Sequence, residues 1–195
     1  MAVSIEDIKK LRDATGAGMM KAKEALEAAS GDFDKAIEHL RKSGAASAAK
    51  KADREARDGV IEGYVHSGRI GVLVEINCET DFVARTEDFK GFARDIAMHI
   101  AAANPTYVTP AEVPADVIEA EKRVYAEDTK GKPEEIAAKI IDGKLAKFYE
   151  NVCLVKQPFV KDPDKSIETL TGELVGKLGE NIVIRRFTRM ELGQL

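Results

Sequence analysis

Residues 60–76 read VIEGYVHSGRIGVLVEI, and their pattern indicates the fold class of the main domain. Apolar and β-branched residues fill both halves of it, and the Ser67-Gly68 pair between the halves favours a tight turn. The pattern predicts a β-hairpin. A further β-branched run, NIVIRRF at 181–187, predicts a strand that joins the hairpin. We therefore expect a three-stranded antiparallel sheet with helices packed on it, which makes the fold class α+β.

The spacing of apolar residues predicts the helices of this domain. Phe89, Phe92, Ile96 and Ile100 share one face of the first helix, which stops before Asn104. Three more helices are expected, from Pro114 to about Lys130, from Pro133 to Glu150, and from a cap at Ser166 to Gly179.

The N-terminal residues 1–42 predict a compact unit of three helices. Ser4 can cap the first helix, and Asp32 can cap the third. Three helices in about 40 residues bury a core that is near the limit for independent stability.

The next segment, SGAASAAKKADREARD at 43–58, carries no bulky apolar side chain. Alanine favours helix, but such a segment has nothing to bury, so we predict a partly helical, solvated linker. The predicted domains are therefore a three-helix domain at 1–42, the linker at 43–58 and an α+β core domain at 59–195.

Composition and charge argue against several classes of protein. Thirty basic and 34 acidic residues give a formal net charge of −4, which disfavours a nucleic-acid binder that neutralises phosphates. No stretch approaches the ~18 apolar residues of a membrane span, and the first residues lack the features of a signal peptide. The sequence has no glycine-rich phosphate cradle and no cluster with metal-ligand spacing. We expect a cytoplasmic protein with no cofactor, no metal and no direct nucleotide binding.

Cys78 and His66 could suggest a cysteine hydrolase. However, they flank a turn on adjacent predicted strands, and the sequence signals no Asn or Asp that would orient the histidine. Cys78 and Cys153 lack CxxC spacing and are expected to be reduced, buried thiols. We therefore expect no covalent chemistry.

Met19 and Met20 are candidates for a binding surface. Consecutive helix residues point about 100° apart, so both cannot face one small core. Met19 shares the apolar stripe of Ala22 and Leu26, whereas Met20 is expected to face solvent. An exposed methionine suits an adaptable partner surface, although it can also be exposed by chance.

The loop after the hairpin, CETDFV at 78–83, leaves two interpretations open. Asp81 could be the N-cap of the next helix and Phe82 a core residue. Alternatively, the loop presents the carboxylate and the aromatic ring outward together, as binding loops on rigid scaffolds do.

Five runs resemble the elongation factor Ts family, and together they extend over essentially the whole chain. IKKLRDATGAGMM at 8–20, with KEAL after it, resembles the opening signature of the family, and RIGVLVEINCETDFVA at 69–84 resembles its core. The shorter family-like runs lie at 131–134, 157–162 and 179–187.

This resemblance implies a nucleotide exchange factor for the GTPase elongation factor Tu. The N-terminal unit resembles a ubiquitin-associated domain that docks on the nucleotide-binding domain of Tu, with family contacts at Arg12, Met19 and Met20. A second contact, directed at another domain of Tu, corresponds to His66.

The resemblance also implies a wedge that consists of Thr80, Asp81, Phe82 and Val83. In the family this segment intrudes beside the magnesium site of Tu and loosens the grip of the phosphate loop on GDP. Asp81 and Phe82 are the residues expected to enter the partner.

One departure from the family pattern concerns the number of subdomains. Longer members contain the sheet-and-helix subdomain twice, with the His66 contact and the wedge in different halves, whereas the hairpin and wedge occur once here. A symmetric homodimer would supply both halves. The alternative function is a helical adaptor without exchange activity, which would have no use for an exposed Asp81-Phe82 pair.

Overall fold

The computed structural model describes residues 3–194. Its helices are α1 (Ile5–Thr15), α2 (Met19–Ala28), α3 (Phe33–Lys51), α4 (Asp81–Ala84), α5 (Glu87–Ala103), α6 (Ala115–Glu127), α7 (Glu134–Val152) and α8 (Ile167–Leu178). Its strands are β1 (Asp58–His66), β2 (Ile70–Cys78), β3 (Pro158–Phe159), β4 (Asp162–Ser166) and β5 (Val183–Glu191). Short 3-10 helices cover Pro110–Glu112 and Leu154–Lys156. No helix within residues 3–194 is long and apolar enough to cross a membrane.

A three-stranded antiparallel sheet in the order β1-β2-β5 has helices packed against it, which confirms the predicted α+β fold. Ser67 (φ 51°) and Gly68 (φ 67°) both have the left-handed conformation that a tight two-residue hairpin turn requires. The Arg69 N–H closes this turn by donating to the His66 carbonyl at 2.9 Å. The predicted third strand is present as β5 and continues past its predicted end to Glu191.

The strand β2 carries the strongest alternation of burial. Val72, Val74 and Ile76 are buried, whereas Leu73 between them is exposed. This period of two places one row of side chains in the core and the other on the opposite face of the sheet.

The N-terminal helices form the three-helix unit that the sequence predicts. Ser4 caps α1 by accepting the Asp7 N–H at 3.0 Å, and Asp32 caps α3 by accepting the Lys35 N–H at 3.1 Å. The core of this unit is small, and its buried members are Ile8, Leu11, Ala22, Ala25, Leu26 and Ala36.

The helix α3 is longer than expected, because it continues through the predicted linker to Lys51. The expectation that this segment has nothing to bury is wrong at Gly44, which is buried. A Cβ at Gly44 would lie 3.1 Å from the carbonyl oxygen of Gly172 on α8, so the absence of a side chain permits a close approach of the two helix backbones. The alanines around Gly44 favour helix, and the contact gives that helix something to pack against. The division into domains at 43–58 stays a prediction.

By their internal contacts the residues group into two compact units. The first unit comprises the chain up to Glu62 together with Glu75–Arg94 and Glu168–Arg185. The second unit comprises Gly63–Val74, Asp95–Ile167 and the chain from Arg186 onward.

The second unit contains a feature that the sequence pattern did not indicate, the antiparallel pair of β3 and β4. The buried ring of His99 lies beside it and accepts the Val160 N–H at Nδ1 over 3.3 Å. Its Nε2 lies 3.0 Å from the side-chain oxygen of Gln157, and burial lowers the pKa of His99. His99 is thus a structural histidine that is held neutral, and no periodic pattern marks it in the sequence.

Candidate partner-binding site

Two residues, Glu79 and Thr80, separate the end of β2 from the start of α4, and Thr80 is the N-cap of this helix. The Thr80 hydroxyl accepts the Val83 N–H at 3.5 Å. Asp81 is therefore the first residue of the helix, and the interpretation of Asp81 as the N-cap is wrong. Its carboxylate forms an ion pair with Arg85 at 2.7 Å, in which both side chains are substantially exposed. A carboxylate in the first turn is also favourable because it faces the positive end of the helix.

Phe82 is 79% exposed, so its interpretation as a core residue is wrong as well. Burying a phenylalanine side chain contributes about 1.5–3 kcal/mol, and Phe82 leaves most of that unused in the free protein. Val83 is half-buried and Ala84 is buried, so α4 is seated on the protein by its C-terminal residues. The loop therefore presents an aromatic ring and a carboxylate together to solvent.

The backbone that carries Asp81 and Phe82 is held by the carboxylate of Glu180. One oxygen, Oε2, accepts the backbone N–H groups of Glu79 and Thr80, both at 3.0 Å. The other, Oε1, accepts the Thr80 hydroxyl at 2.6 Å. Three hydrogen bonds converge on this one side chain, two of them from consecutive backbone N–H groups, so they hold the loop firmly.

A second set of contacts fixes the turn that supplies Glu180. The Asn181 N–H donates to the Glu79 carboxylate at 2.7 Å, and the Asn181 side-chain amide donates to the carbonyl of Arg54 at 2.8 Å. The Arg54 guanidinium lies 3.5 Å from the same Glu79 carboxylate. The loop after β2, the turn after α8 and the chain after α3 are therefore joined by reciprocal polar contacts.

Cys78 precedes this loop, and its chemistry does not suit a nucleophile. The side chain is fully buried, and its thiol donates to the Thr80 carbonyl at 3.2 Å. Burial, with the nearby charge of Glu180, raises the pKa of Cys78 to about 11. A reactive cysteine needs an accessible thiolate, and this site favours the protonated form. Cys153 is also buried, and burial raises its pKa, so the expectation of two buried thiols is confirmed.

Arg12, Met19 and Met20 lie on neighbouring parts of the three-helix unit. The Arg12 guanidinium contacts the Met19 sulfur at 3.9 Å. Met20 is 66% exposed, as expected, but Met19 is 40% exposed, so its expected place in the core stripe is wrong. Met19 is the first residue of α2, and the buried stripe of that helix begins only at Ala22. Both methionine side chains are consequently available at the surface.

His66 ends β1 and is exposed at the hairpin turn. Its Nδ1 lies 3.0 Å from the Tyr64 hydroxyl, and the two rings stack with centroids 6.1 Å apart. His66 belongs to the second compact unit, whereas the Thr80–Val83 segment and the three N-terminal candidates belong to the first.

Within residues 3–194 no group of three His, Cys, Asp or Glu side chains could hold a metal ion.

Sequence reasoning missed the residues that hold the loop. Glu180 and Asn181 stand in a run that resembles the family, GEN at 179–181, but that run carries no sign of what these side chains contact. Arg85, the ion-pair partner of Asp81, was missed too, although a basic residue four positions after an acidic one is a known helix pairing.

Comparison with known proteins gives one consistent result. A family model described as Elongation factor TS matches residues 2–174. The elongation factor Ts of Thermodesulfovibrio yellowstonii is 53% identical over 195 residues, which cover 100% of this chain and 98% of that protein. Those of Syntrophus aciditrophicus and Fervidobacterium nodosum are each 55% identical over 197 residues, which cover this chain entirely and 98% and 100% of those proteins. The chain therefore belongs to the elongation factor Ts family of translation elongation factors.

Proposed function

We propose that this chain is a guanine-nucleotide exchange factor for elongation factor Tu. It binds Tu with GDP, disturbs the magnesium site, promotes release of GDP and leaves when GTP binds. It makes and breaks no covalent bond, holds no nucleotide itself and acts in the cytoplasm without contacting nucleic acid or membrane. Membership of the family supports the general role, and the geometry of the loop after β2 supports the mechanism.

The observation that carries this proposal is the exposure of Phe82 beside Asp81 on a firmly held loop. Magnesium and backbone amides hold the phosphates of a bound nucleotide, so a group that displaces them weakens binding by a large electrostatic term. An aromatic ring can enter an apolar gap in the partner while the adjacent carboxylate disturbs the surroundings of the ion. A wedge of this kind acts only if its backbone resists being pushed back.

We assign the docking of Tu to Arg12, Met19 and Met20 on the three-helix unit. Methionine is unbranched and polarizable, so two exposed methionines adapt well to a partner surface. The contact between Arg12 and Met19 places a charge beside this apolar area. Docking by this unit raises the local concentration of the wedge near the nucleotide.

The release of the exchange factor follows from linkage. If binding of this chain weakens GDP on Tu by some factor, GDP weakens the binding of this chain by the same factor, and the same reciprocity applies to GTP. Rebinding of nucleotide therefore expels the exchange factor without any further source of free energy.

We also propose a symmetric homodimer, in which one protomer supplies the wedge and the other supplies His66. The second unit supports this proposal because it leaves several large apolar residues in solvent, namely Val65, Leu73, Met190 and Leu192. Exposed apolar surface of this kind commonly marks an interface. Sedimentation or native mass spectrometry is expected to give twice the chain mass for the free protein, and a complex that contains two copies of the chain when Tu is bound. A monomer in both states would contradict the dimer.

The experiment that tests the exchange function is release of labelled GDP from elongation factor Tu. We expect the unmodified chain to accelerate release, and both Asp81→Ala and Phe82→Ala to lose that acceleration clearly. Val124→Ala on α6, which removes another exposed apolar side chain, is the matched control and should be active. Full activity of both wedge variants would overturn the mechanism.

The alternative function, a helical adaptor without exchange activity, predicts a different result. An adaptor would bind Tu through the three-helix unit but leave the GDP release rate unchanged. The exposed Phe82 on a held loop favours exchange over this alternative.

A further inference from the structure

We propose that Glu180 is the positioning residue of the wedge, and that the length of its side chain matters more than its charge. This inference rests on the proposed function, because it assigns a role toward the Thr80–Val83 segment. Glu180 does not need to touch the partner to act. Its effect is to fix where Asp81 and Phe82 stand before Tu arrives.

Glu180 itself stands on a segment of backbone that is held in place. The helix α8 ends at Leu178, and the chain turns at Gly179, which has a left-handed φ of 83° that suits glycine. Asn181 then anchors the turn on the chain after α3 through the carbonyls of Ala52 and Arg54. The carboxylate thus projects from a backbone that is fixed on both sides.

The hydrogen bonds of the Glu180 carboxylate hold the backbone of the loop in place. Its Oε2 accepts two consecutive N–H groups, those of Glu79 and Thr80, and its Oε1 accepts the Thr80 hydroxyl. The same hydroxyl oxygen accepts the Val83 N–H as the helix cap. Glu180 therefore orients the first turn of α4, on which Asp81 and Phe82 stand.

This arrangement matters because the wedge makes few stabilising contacts of its own. Phe82 is mostly exposed, and the ion pair of Asp81 with Arg85 is at the surface. Without the carboxylate, two backbone N–H groups lose their acceptor and the loop gains freedom. A misplacement of about 1 Å in a positioned group can cost about 100-fold in rate, so even a small shift should be measurable.

Three substitutions separate positioning from charge. Glu180→Gln keeps the side-chain length and one oxygen that can accept both backbone N–H groups, while its amide can donate to the Thr80 hydroxyl. Glu180→Asp keeps the charge, but its side chain is shorter by one carbon–carbon bond, about 1.5 Å. Its carboxylate therefore cannot reach the backbone N–H groups and the Thr80 hydroxyl at the same time. Glu180→Ala removes both the length and the charge of the side chain. If Glu180 positions the loop, activity should decrease in the order Glu, Gln, and then Asp and Ala together. If its role is purely electrostatic, the Asp variant should be active and the Gln variant should not.

The measurement is GDP release from elongation factor Tu at a series of concentrations of each variant. We expect the maximal release rate to fall by about tenfold or more in Glu180→Ala and Glu180→Asp, and by no more than about threefold in Glu180→Gln. The half-saturating concentration should change little, because Arg12, Met19 and Met20 are untouched. Glu38→Ala, at an exposed ion pair with Lys42 on α3, is the matched control and should behave as the unmodified chain.

Amide hydrogen exchange in the free protein provides a readout that does not depend on Tu. The N–H groups of Glu79 and Thr80 should exchange faster in Glu180→Ala and Glu180→Asp than in Glu180→Gln, while the amides within α5 stay protected. If Glu180→Ala does not fold, the Gln and Asp variants decide between the two orders.

The outcomes distinguish this inference from the function on which it rests. If the unmodified chain does not accelerate release, the proposed function fails. If it does, and the Asp81 and Phe82 variants lose activity while Glu180→Ala and Glu180→Asp keep it, the positioning role is overturned and the exchange function stands.

Discussion

The loop at residues 79–83 and the three-helix unit are both assigned to the same partner, but different forces hold them. The loop is fixed by charged and polar contacts to Glu180, which leave its most apolar side chain in water. The three-helix unit is fixed by a small apolar core, and its candidate contacts are helix surface residues. A wedge must resist being displaced, so its backbone needs directional bonds. A docking surface needs only to be presented, so modest apolar packing suffices.

A destabilising change in the core of the three-helix unit should affect that unit and leave the loop largely intact. Leu26 is fully buried in the core of the three-helix unit, so Leu26→Ala should destabilise that unit by about 2–5 kcal/mol. Hydrogen exchange should show faster opening of the amides in α1 and α2. We expect the N–H groups of Glu79 and Thr80 to keep most of their protection, since Glu180 holds them.

The matched control for this change is Val124→Ala on α6, where the side chain is exposed and its loss should matter little. Equal loss of protection in the three-helix unit and in the loop would contradict the comparison, because it would mean that one apolar core supports both.

The second prediction concerns Cys78, whose thiol reports on opening of the loop. Its pKa of about 11 lies two units above the usual 9.0, so at pH 8 the thiolate fraction is lower by about 100-fold. Alkylation by iodoacetamide should therefore be at least about 100-fold slower in the native protein than after unfolding. As pH rises toward 11 the rate should rise. Rapid alkylation at pH 8 would show that the loop opens easily, and it would make Cys78 a candidate nucleophile again.

These two regions also differ in how much of them could be predicted from sequence. The caps at Ser4 and Asp32 and the hairpin turn are local, because each is decided by neighbours within a few residues, and all three were predicted. The loop could not be predicted in the same way. Thr80 and Asp81 are both good N-cap residues by type, and Thr80, which takes that role, also bonds to Glu180, 100 positions away in the chain.

Two other expectations are wrong for the same physical reason. Phe82 could face inward or outward by its type alone, and its exposure depends on how α4 is seated. Gly44 lacks a side chain, so a search for buried apolar groups overlooks it, yet its smallness permits the approach of α3 to α8. Contacts between residues far apart in the chain, and close backbone approaches at a glycine, leave no periodic signal in the sequence.

The third prediction tests the docking surface by a smaller effect. Met20→Ala should raise the half-saturating concentration for GDP release by about three- to tenfold, since truncating an interface side chain that contributes to binding costs about 1 kcal/mol. The maximal release rate should not change, because the loop is untouched. Ile5→Ala, an equally exposed apolar residue on α1, is the control and should alter neither quantity. A fall in the maximal rate with Met20→Ala would mean that docking and displacement are not separate functions.

The smallest expected effect concerns Arg85, and it asks whether Asp81 depends on its ion pair or on the loop. The pair with Arg85 is short but lies at the surface, where such pairs contribute about 0–1 kcal/mol. Arg85→Ala should therefore change the free energy of unfolding by no more than about 0.5 kcal/mol and GDP release by no more than about twofold. Lys90→Ala, which removes a comparable surface pair with Glu87, is the control. A loss as large as that of Asp81→Ala would mean that Arg85 itself holds Asp81 in place or contacts the partner. With small effects from Arg85→Ala and large ones from Glu180→Ala, the position of Asp81 would depend on the backbone beneath it rather than on its neighbour at the surface.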